Sequence, residues 1–299
     1  MRVTNKTLVN TFLNNLNNNL TKMSKYQDQM ASGKEIRKPS DDPFGATRSM
    51  ELNTAINRND QYLRNIDDSI GWLDTTDTAL GQVNDSLQRI RELMISSASG
   101  TKSQTDIDAN KMEIIQRIEE IAQAGNTMFD GKYIFAGNQT TNAPFASINN
   151  GDISYSGDDG PINREIAPNV ILKINVTGEK MMNGAGVNLG VTLSSIRDAL
   201  DLNSADFPKI SGSLLDDITK QIDNALNLRG EAGAKANRME SARAKNEEET
   251  YNTTEILSKV EDIDLAEKIM QYKVMENVYN SSLMTNAKIL QQSLIDFLR

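Results

Sequence analysis

Apolar residues recur at alternating intervals of three and four in the first thirty residues of the chain. This spacing predicts an α-helix with a coiled-coil seam along one side. Most of the many Asn residues of this segment lie off the seam. Because Asn is a mediocre helix former, we expect this helix to need a partner. The seam comprises Leu13, Leu16, Leu20, Met23, Gln27 and Met30.

A second, much longer helical pattern follows a polar loop. Gly33 is predicted to end the first helix, and Asp42-Pro43 has the order of a capping residue followed by the first helical position. Heptad spacing then continues from 56 to 94, which is 39 residues or about 58 Å of helix. A helix of that length predicts a rod-like bundle. Ser103 and Asp106 resemble a capping box that begins a third helix, antiparallel to the second.

The hydrophobic period changes near residue 130. Asp130-Gly131 is a turn signal, and the run from Lys132 to Gly137 predicts a strand. The stretch 138–190 is rich in Asn, Gly, Asp and Pro. An insert of roughly fifty residues is marginal by itself, so we expect it to pack on the helices. Its predicted strands are 152–155, 163–166 and 169–176.

Helical spacing returns near Leu189 and continues to the C-terminus. The last segment carries one apolar stripe, and two terminal seams that each need a partner are most simply paired with each other. The stripe comprises Tyr272, Met275, Tyr279, Leu283, Ala287, Leu290, Leu294 and Phe297.

These patterns predict a mainly α fold with a small β insert. The expected architecture is an elongated antiparallel helical bundle or coiled coil, with the N- and C-terminal helices paired and a central β-rich domain. The predicted domains are a terminal coiled-coil assembly domain (1–40 with 258–299), a long-helix rod domain (41–131 with 190–257) and a small β-rich outer domain (132–189).

Charge and composition exclude several classes of function. The 299 residues include 32 Lys and Arg against 41 Asp and Glu, a net charge of −9. This balance argues against a partner that is nucleic acid or anionic membrane. The chain has no Cys and no His, so thiol chemistry, His-dependent triads and the common zinc sites are excluded. We therefore expect no enzyme activity, no catalytic residue, no cofactor and no metal.

The acidic pairs along the chain do not change this picture. Adjacent carboxylates on a helix point apart, and most of these pairs lie near predicted helix starts, where the helix dipole favours negative charge. Asp158-Asp159-Gly160 lacks the rest of a calcium loop, and a turn is the favoured interpretation. The pairs are Asp41/Asp42, Asp67/Asp68, Asp158/Asp159 and Asp216/Asp217.

Several segments resemble a known family. Ala31-Ser32-Gly33-Lys34-Glu35-Ile36, followed by Pro39-Ser40-Asp41-Asp42-Pro43, resembles the signature near the N-terminus of bacterial flagellins and hook-associated proteins. The start of the chain and the segment 132–137 look more like the hook–filament junction members of that family than like flagellin. Residues 229–240 and 260–267 are similar to the family's C-terminal helices.

The resemblance implies a structural subunit of the bacterial flagellum that joins hook and filament through axial packing of its terminal helices. It implies export by the flagellar type III route, without a cleaved signal peptide, to an extracellular location. The implied partners are further copies of the chain in a ring, a neighbouring hook-associated protein on the hook side, flagellin or an adjacent junction protein on the filament side, and an export chaperone.

The terminal stripes supply the candidate assembly residues. Two alternatives remain: a short flagellin that builds the filament itself, and a stalked surface adhesin or carboxylate enzyme. The candidate residues are Leu13, Leu16, Leu20, Met23, Leu283, Leu290, Leu294 and Phe297.

Overall fold

A computed structural model describes residues 5–98, 103–148, 151–201 and 212–297. Long helices dominate these residues, and three two-stranded antiparallel sheets lie between the third and fourth helices. The prediction of a mainly α fold with a small β insert is confirmed. The helices are α1 (Asn5–Ser32), α2 (Pro43–Ser97), α3 (Gln104–Gly125), α4 (Gly178–Asn183), α5 (Leu189–Asp201), α6 (Ser213–Glu261) and α7 (Leu265–Phe297). The strands are β1 (Met128–Phe129), β2 (Lys132–Tyr133), β3 (Phe145–Ile148), β4 (Asp152–Tyr155), β5 (Asn163–Ala167) and β6 (Val170–Lys173).

The chain divides into two compact units. The terminal unit comprises Met1–Arg58 with Glu249–Arg299, and the central unit comprises Asn59–Glu248. Both α2 and α6 contribute residues to each unit. None of the helices in the described ranges carries an apolar stretch sufficient to cross a bilayer.

Local sequence signals fix the helix boundaries. Gly33 follows the end of α1 with a φ of 72°, the left-handed conformation that glycine adopts without strain. At the start of α2, Asp42 Oδ1 accepts a hydrogen bond of 3.0 Å from the Phe44 amide. Ser103 and Asp106 form the predicted capping box at the start of α3, each side chain accepting from the other's backbone amide. These predictions are confirmed, because a cap depends only on residues within one turn.

The central unit has one hydrophobic core built on α2. Most of its heptad residues are buried, Leu73, Leu80 and Leu87 among them, whereas Leu63 and Ile70 are half-buried. α3 returns antiparallel along α2. Asn110, early in α3, donates to Ser97 at the end of α2, whereas Glu120, late in α3, accepts from Ser86 earlier in α2. Apolar residues of α5, α6 and the hairpins complete the same buried cluster.

The β insert packs on this core as three hairpins. β4 and β5 lie where the sequence predicts strands, whereas the predicted strand 132–137 is wrong beyond Tyr133. Ile134 and Phe135 are completely buried instead, in an irregular segment. An apolar run of this length is compatible with a strand or with a buried irregular segment, and packing in the core decides between them. A separate outer domain at 132–189 remains a prediction.

Phe135 ties three elements of the insert together. Its carbonyl oxygen accepts a hydrogen bond of 2.9 Å from the Tyr155 hydroxyl and another of 2.9 Å from the Gly178 amide. Burial raises the pKa of Tyr155 to about 12, so its hydroxyl stays protonated and continues to donate at neutral pH. Gly178 has no space for a side chain, because a Cβ atom there would meet the Tyr155 ring.

Candidate assembly surface

The two terminal helices, α1 and α7, lie side by side and antiparallel in the terminal unit. Lys268, near the start of α7, reaches the end of α1. Its ammonium lies 5.8 Å from the centroid of the Tyr26 ring and 2.8 Å from the Glu35 carboxylate. The prediction that the N- and C-terminal helices pair is confirmed.

The buried side of α1 is offset from the predicted seam. Leu16, Met23 and Met30 lie on it, but Leu13 and Leu20 lie on the neighbouring flank and are 47% and 42% exposed. The offset has a physical reason, since it buries two aromatic side chains that the predicted seam would leave in water. The half-buried stripe comprises Val9, Phe12, Leu16, Asn19, Met23, Tyr26 and Met30.

On α7 the predicted stripe matches the half-buried side at its first three residues, Tyr272, Met275 and Tyr279. Leu283 is 41% exposed and lies off it. The backbones of 290, 294 and 297 belong to α7. The side chains of Leu290, Leu294 and Phe297 lie outside the described residues.

Pairing of the two helices leaves a large apolar surface exposed. We call it the outer apolar face. Met270, Val274 and Val278 follow one another at intervals of four on α7, so they form a ridge along one side of the helix. Exposed apolar side chains that follow one another in this way are typical of an interaction site. The outer apolar face comprises Leu13, Leu20, Leu265, Ile269, Met270, Val274, Val278, Leu283 and Met284.

A polar clasp fixes the start of α7 against the end of α1. Lys34 bonds Glu261 at 2.7 Å, and Lys268 bonds Glu35 at 2.8 Å. The backbone contributes too, because the Glu35 amide donates to the Glu261 carbonyl at 2.6 Å and the Ile263 amide donates to Gly33 at 3.2 Å. The clasp comprises Gly33, Lys34, Glu35, Glu261, Ile263 and Lys268.

Sequence reasoning missed the clasp. Its ion pairs join residues that are 227 and 233 positions apart, and no periodicity links them. The available signal was the Gly33-Lys34-Glu35 motif, which carried the family resemblance without indicating a contact.

The loop that follows α1 is held by further polar contacts. Gln29 is buried and donates from Nε2 to the Glu35 carbonyl at 2.8 Å. Arg37 pairs with Asp28 at 3.0 Å. A hydrogen bond from the Lys38 amide, with help from Lys25, lowers the pKa of Asp41. These contacts hold the loop against α1, beside the outer apolar face residue Leu20.

The acidic pair Asp158/Asp159 of the central unit has structural partners. Asp158 Oδ1 accepts hydrogen bonds from the amides of Asn138 and Gly160, and Asp159 accepts one from Thr177. The Asp158 carboxylate thus stabilises the irregular segment between β4 and β5, which is not a hairpin turn. Within the described residues, no three acidic side chains come close enough together to hold a metal ion.

Comparison with known proteins identifies the relationship. Residues 3–140 match the family described as the bacterial flagellin N-terminal helical region. Flagellar hook-associated protein 3 of Escherichia coli (strain K12) is 25% identical over 303 residues, which cover 94% of this chain and 95% of that protein. The chain is similar to flagellar hook-associated protein 3 along nearly its whole length. These likenesses support a structural role in the bacterial flagellum, an extracellular appendage.

Flagellins match a smaller part of the chain. Flagellin of Salmonella muenchen is 37% identical over 128 residues, covering 42% of this chain and 25% of the flagellin. The chain therefore spans about a quarter of that relative.

Solved structures show the same fold. A flagellar hook-associated protein from Vibrio parahaemolyticus superposes with a TM-score of 0.68 at 20% identity, covering 74% of this chain and all of that one. Flagellar hook-associated protein 3 from Legionella pneumophila gives 0.64 at 14% identity, covering 71% of this chain and 98% of that one.

Proposed function

We propose that this chain is a subunit of the junction between hook and filament, and that it assembles through the outer apolar face of its paired terminal helices. The observation that carries the proposal is that this face remains exposed after α1 and α7 have paired. Each large apolar side chain that leaves water on assembly contributes about 1.5–3 kcal/mol when fully buried.

The proposed assembly also has a geometry. We infer that neighbouring copies meet through unlike parts of this face, in a head-to-tail contact. Contacts of that type close into rings or continue as helices. On this proposal the neighbours are other copies in a ring, a hook-associated protein on the hook side and flagellin or a second junction protein on the filament side. Export by the flagellar type III route, with a chaperone, belongs to the same proposal.

Complementation of a deletion strain tests the proposal. Cells without the gene should carry hooks and lose filament protein to the medium, and the wild-type gene should restore filaments. A variant with both Val274→Asp and Val278→Asp should be exported but should not restore filaments. The matched control is Asn252→Asp, which adds a carboxylate to an exposed residue of α6, outside the outer apolar face. Full motility of the double variant, or filaments in the deletion strain, would contradict the proposal.

A short flagellin is the second candidate, because the N-terminal part of the chain is more similar to flagellin than the whole chain is to hook-associated protein 3. The two functions differ in what the purified chain does alone. A flagellin forms long filaments from its own subunits, whereas a junction subunit stops at a short ring. Electron microscopy of the concentrated protein distinguishes the two.

A further inference from the structure

A cleft of about 460 Å³ opens in the central unit. It lies where α2, the β1–β2 hairpin and β5 approach one another. Its polar and aromatic lining comprises Asp68, Trp72, Phe129, Asp130, Lys132 and Arg164.

Two buried nitrogen donors of this lining have no acceptor. Trp72 is only 4% exposed and packs edge-on against Phe129, with the ring centroids 6.1 Å apart. Its indole Nε1 is buried without a hydrogen-bond partner among the described residues, and the same holds for Nε of Arg164. A buried donor without an acceptor is costly, so such groups in native proteins usually mark an interaction still to be made.

The charged groups of the cleft are also uncommitted. Within the described ranges, the side chains of Asp68, Asp130, Lys132 and Arg164 make no ion pair and no hydrogen bond. The contrast with the adjacent residue is clear, because Asp67 pairs with Arg243 at 3.4 Å. These four charges therefore line the cleft without a partner among the described residues.

We propose that this cleft binds a carboxylate group. Trp72 Nε1 and the Arg164 guanidinium can only donate hydrogen bonds, so the group they receive must be an acceptor. A guanidinium matches a carboxylate in geometry and charge. A phosphate dianion fits less well, because it brings a second negative charge towards the carboxylates of Asp68 and Asp130 in the lining.

Two sources can present this carboxylate. One is a small carboxylic acid in solution. The other is an Asp or Glu side chain of a second copy of this acidic chain, and this source rests on the proposed self-assembly. The cleft is tested separately from that function, because its residues are not part of the outer apolar face.

Tryptophan fluorescence gives a direct test, since Trp72 is the single Trp of the chain. The dilute full-length protein is titrated with glutarate, with neutral glutaramide as the isosteric control and sodium chloride at matched ionic strength. We expect a saturable fluorescence change with glutarate alone. In Arg164→Gln the midpoint should rise about tenfold or more, the effect of losing one charge-assisted hydrogen bond.

Matched variants keep the test independent of folding. Arg48→Gln removes an exposed arginine of α2 that does not line the cleft, and it should leave the midpoint unchanged. If thermal melting shows that Arg164→Gln is destabilised, Arg164→Lys replaces it, because it keeps the charge and loses the bidentate fork. No saturable change in the wild type, or equal midpoints in the wild type and the Arg164 variant, would overturn the proposal.

A dilution series distinguishes the two sources. A second copy as ligand should make the fluorescence depend on protein concentration in the absence of glutarate, and added glutarate should abolish that dependence. A glutarate response without any concentration dependence assigns the cleft to a small carboxylate. Either result supports a carboxylate site, and the α7 variants report on the junction function independently.

Discussion

Lys34 donates a hydrogen bond of 2.7 Å to the carboxylate of Glu261, a residue 227 positions further along the chain. The Glu261 side chain is 11% exposed, whereas that of Lys34 is 49% exposed. The carboxylate has therefore lost most of its hydration, and Lys34 replaces part of it. A buried charge that loses its partner is strongly destabilising, even where the intact pair contributes little.

Replacing Lys34 by Gln should consequently loosen the clasp. Because the ion pair is half open to water, we expect a loss of about 1–2 kcal/mol in local stability. Hydrogen exchange should become faster at the end of α6 and the start of α7. Lys38→Gln, in the same loop, is the control and should leave exchange unchanged. Adding Glu261→Gln to Lys34→Gln should recover part of the loss, and the absence of any recovery would contradict this account.

The two flanks of α1 should respond differently to the same substitution. Leu16→Asp places a charge on the half-buried stripe and should destabilise the terminal helix pair by about 1–3 kcal/mol. Leu20→Asp lies on the exposed flank and should change the stability of the monomer by no more than about 0.5 kcal/mol while it prevents assembly. Hydrogen exchange of α1 measures the first effect, and complementation measures the second. Equal behaviour of the two variants would mean that the stripe is wrongly placed.

Two glycines of the central unit should show opposite effects when replaced by Ala. A Cβ atom on Gly125 would lie within 3.0 Å of three ring atoms of Phe145, which is buried. Gly125→Ala should therefore cost about 1–3 kcal/mol through overpacking. Gly230 lies inside α6 with no atom within 4 Å of that position, so Gly230→Ala should stabilise by about 0.5–1 kcal/mol. Thermal or denaturant unfolding of both variants measures the difference.

Acid should weaken one contact of the central unit in a defined range. Burial raises the pKa of Glu231, but hydrogen bonds from Lys235 and Lys180 outweigh it and lower the pKa below the usual 4.5. A carboxyl group with a lowered folded-state pKa stabilises fully above its unfolded pKa, and this contribution is lost as the pH falls through the folded value. The contact is partly exposed, so its contribution is less than about 1 kcal/mol.

Glu231→Gln tests this acid dependence. The variant should be less stable than the wild type at pH 7, and the difference should shrink as the pH falls below 4.5. Denaturant unfolding at several pH values measures it. A difference that stays constant or grows towards acid pH would contradict the assignment.

The sequence predicted those features that depend on neighbouring residues. The start of α2 at Pro43, the capping box of Ser103 and the strand Asp152–Tyr155 all follow from signals within a few positions. The phase of the α1 seam could not be predicted, because stripes through Leu13 and through Phe12 both satisfy coiled-coil spacing, and only the partner helix selects one of them.

Contacts between distant residues account for the other differences. The pairing of Lys34 with Glu261 and the approach of Arg164 to Trp72 depend on the folded backbone and leave no local pattern. The same is true of Ile134 and Phe135. Their apolar run predicts a strand, but both side chains are buried in the core from an irregular segment. Of the candidate assembly surface, the sequence located the two helices and part of each apolar stripe, but not which residues stay in water.

The two hydrogen bonds that meet at the Phe135 carbonyl have a practical consequence for exchanging segments between relatives. They join the segment after β2, the end of β4 and the start of α4. A chimera that replaces only one of the hairpins would separate Phe135 from Tyr155 or Gly178 and leave a buried carbonyl without its donors. A chimera that keeps both hydrogen bonds therefore has to exchange residues 134–178 together, as one continuous segment.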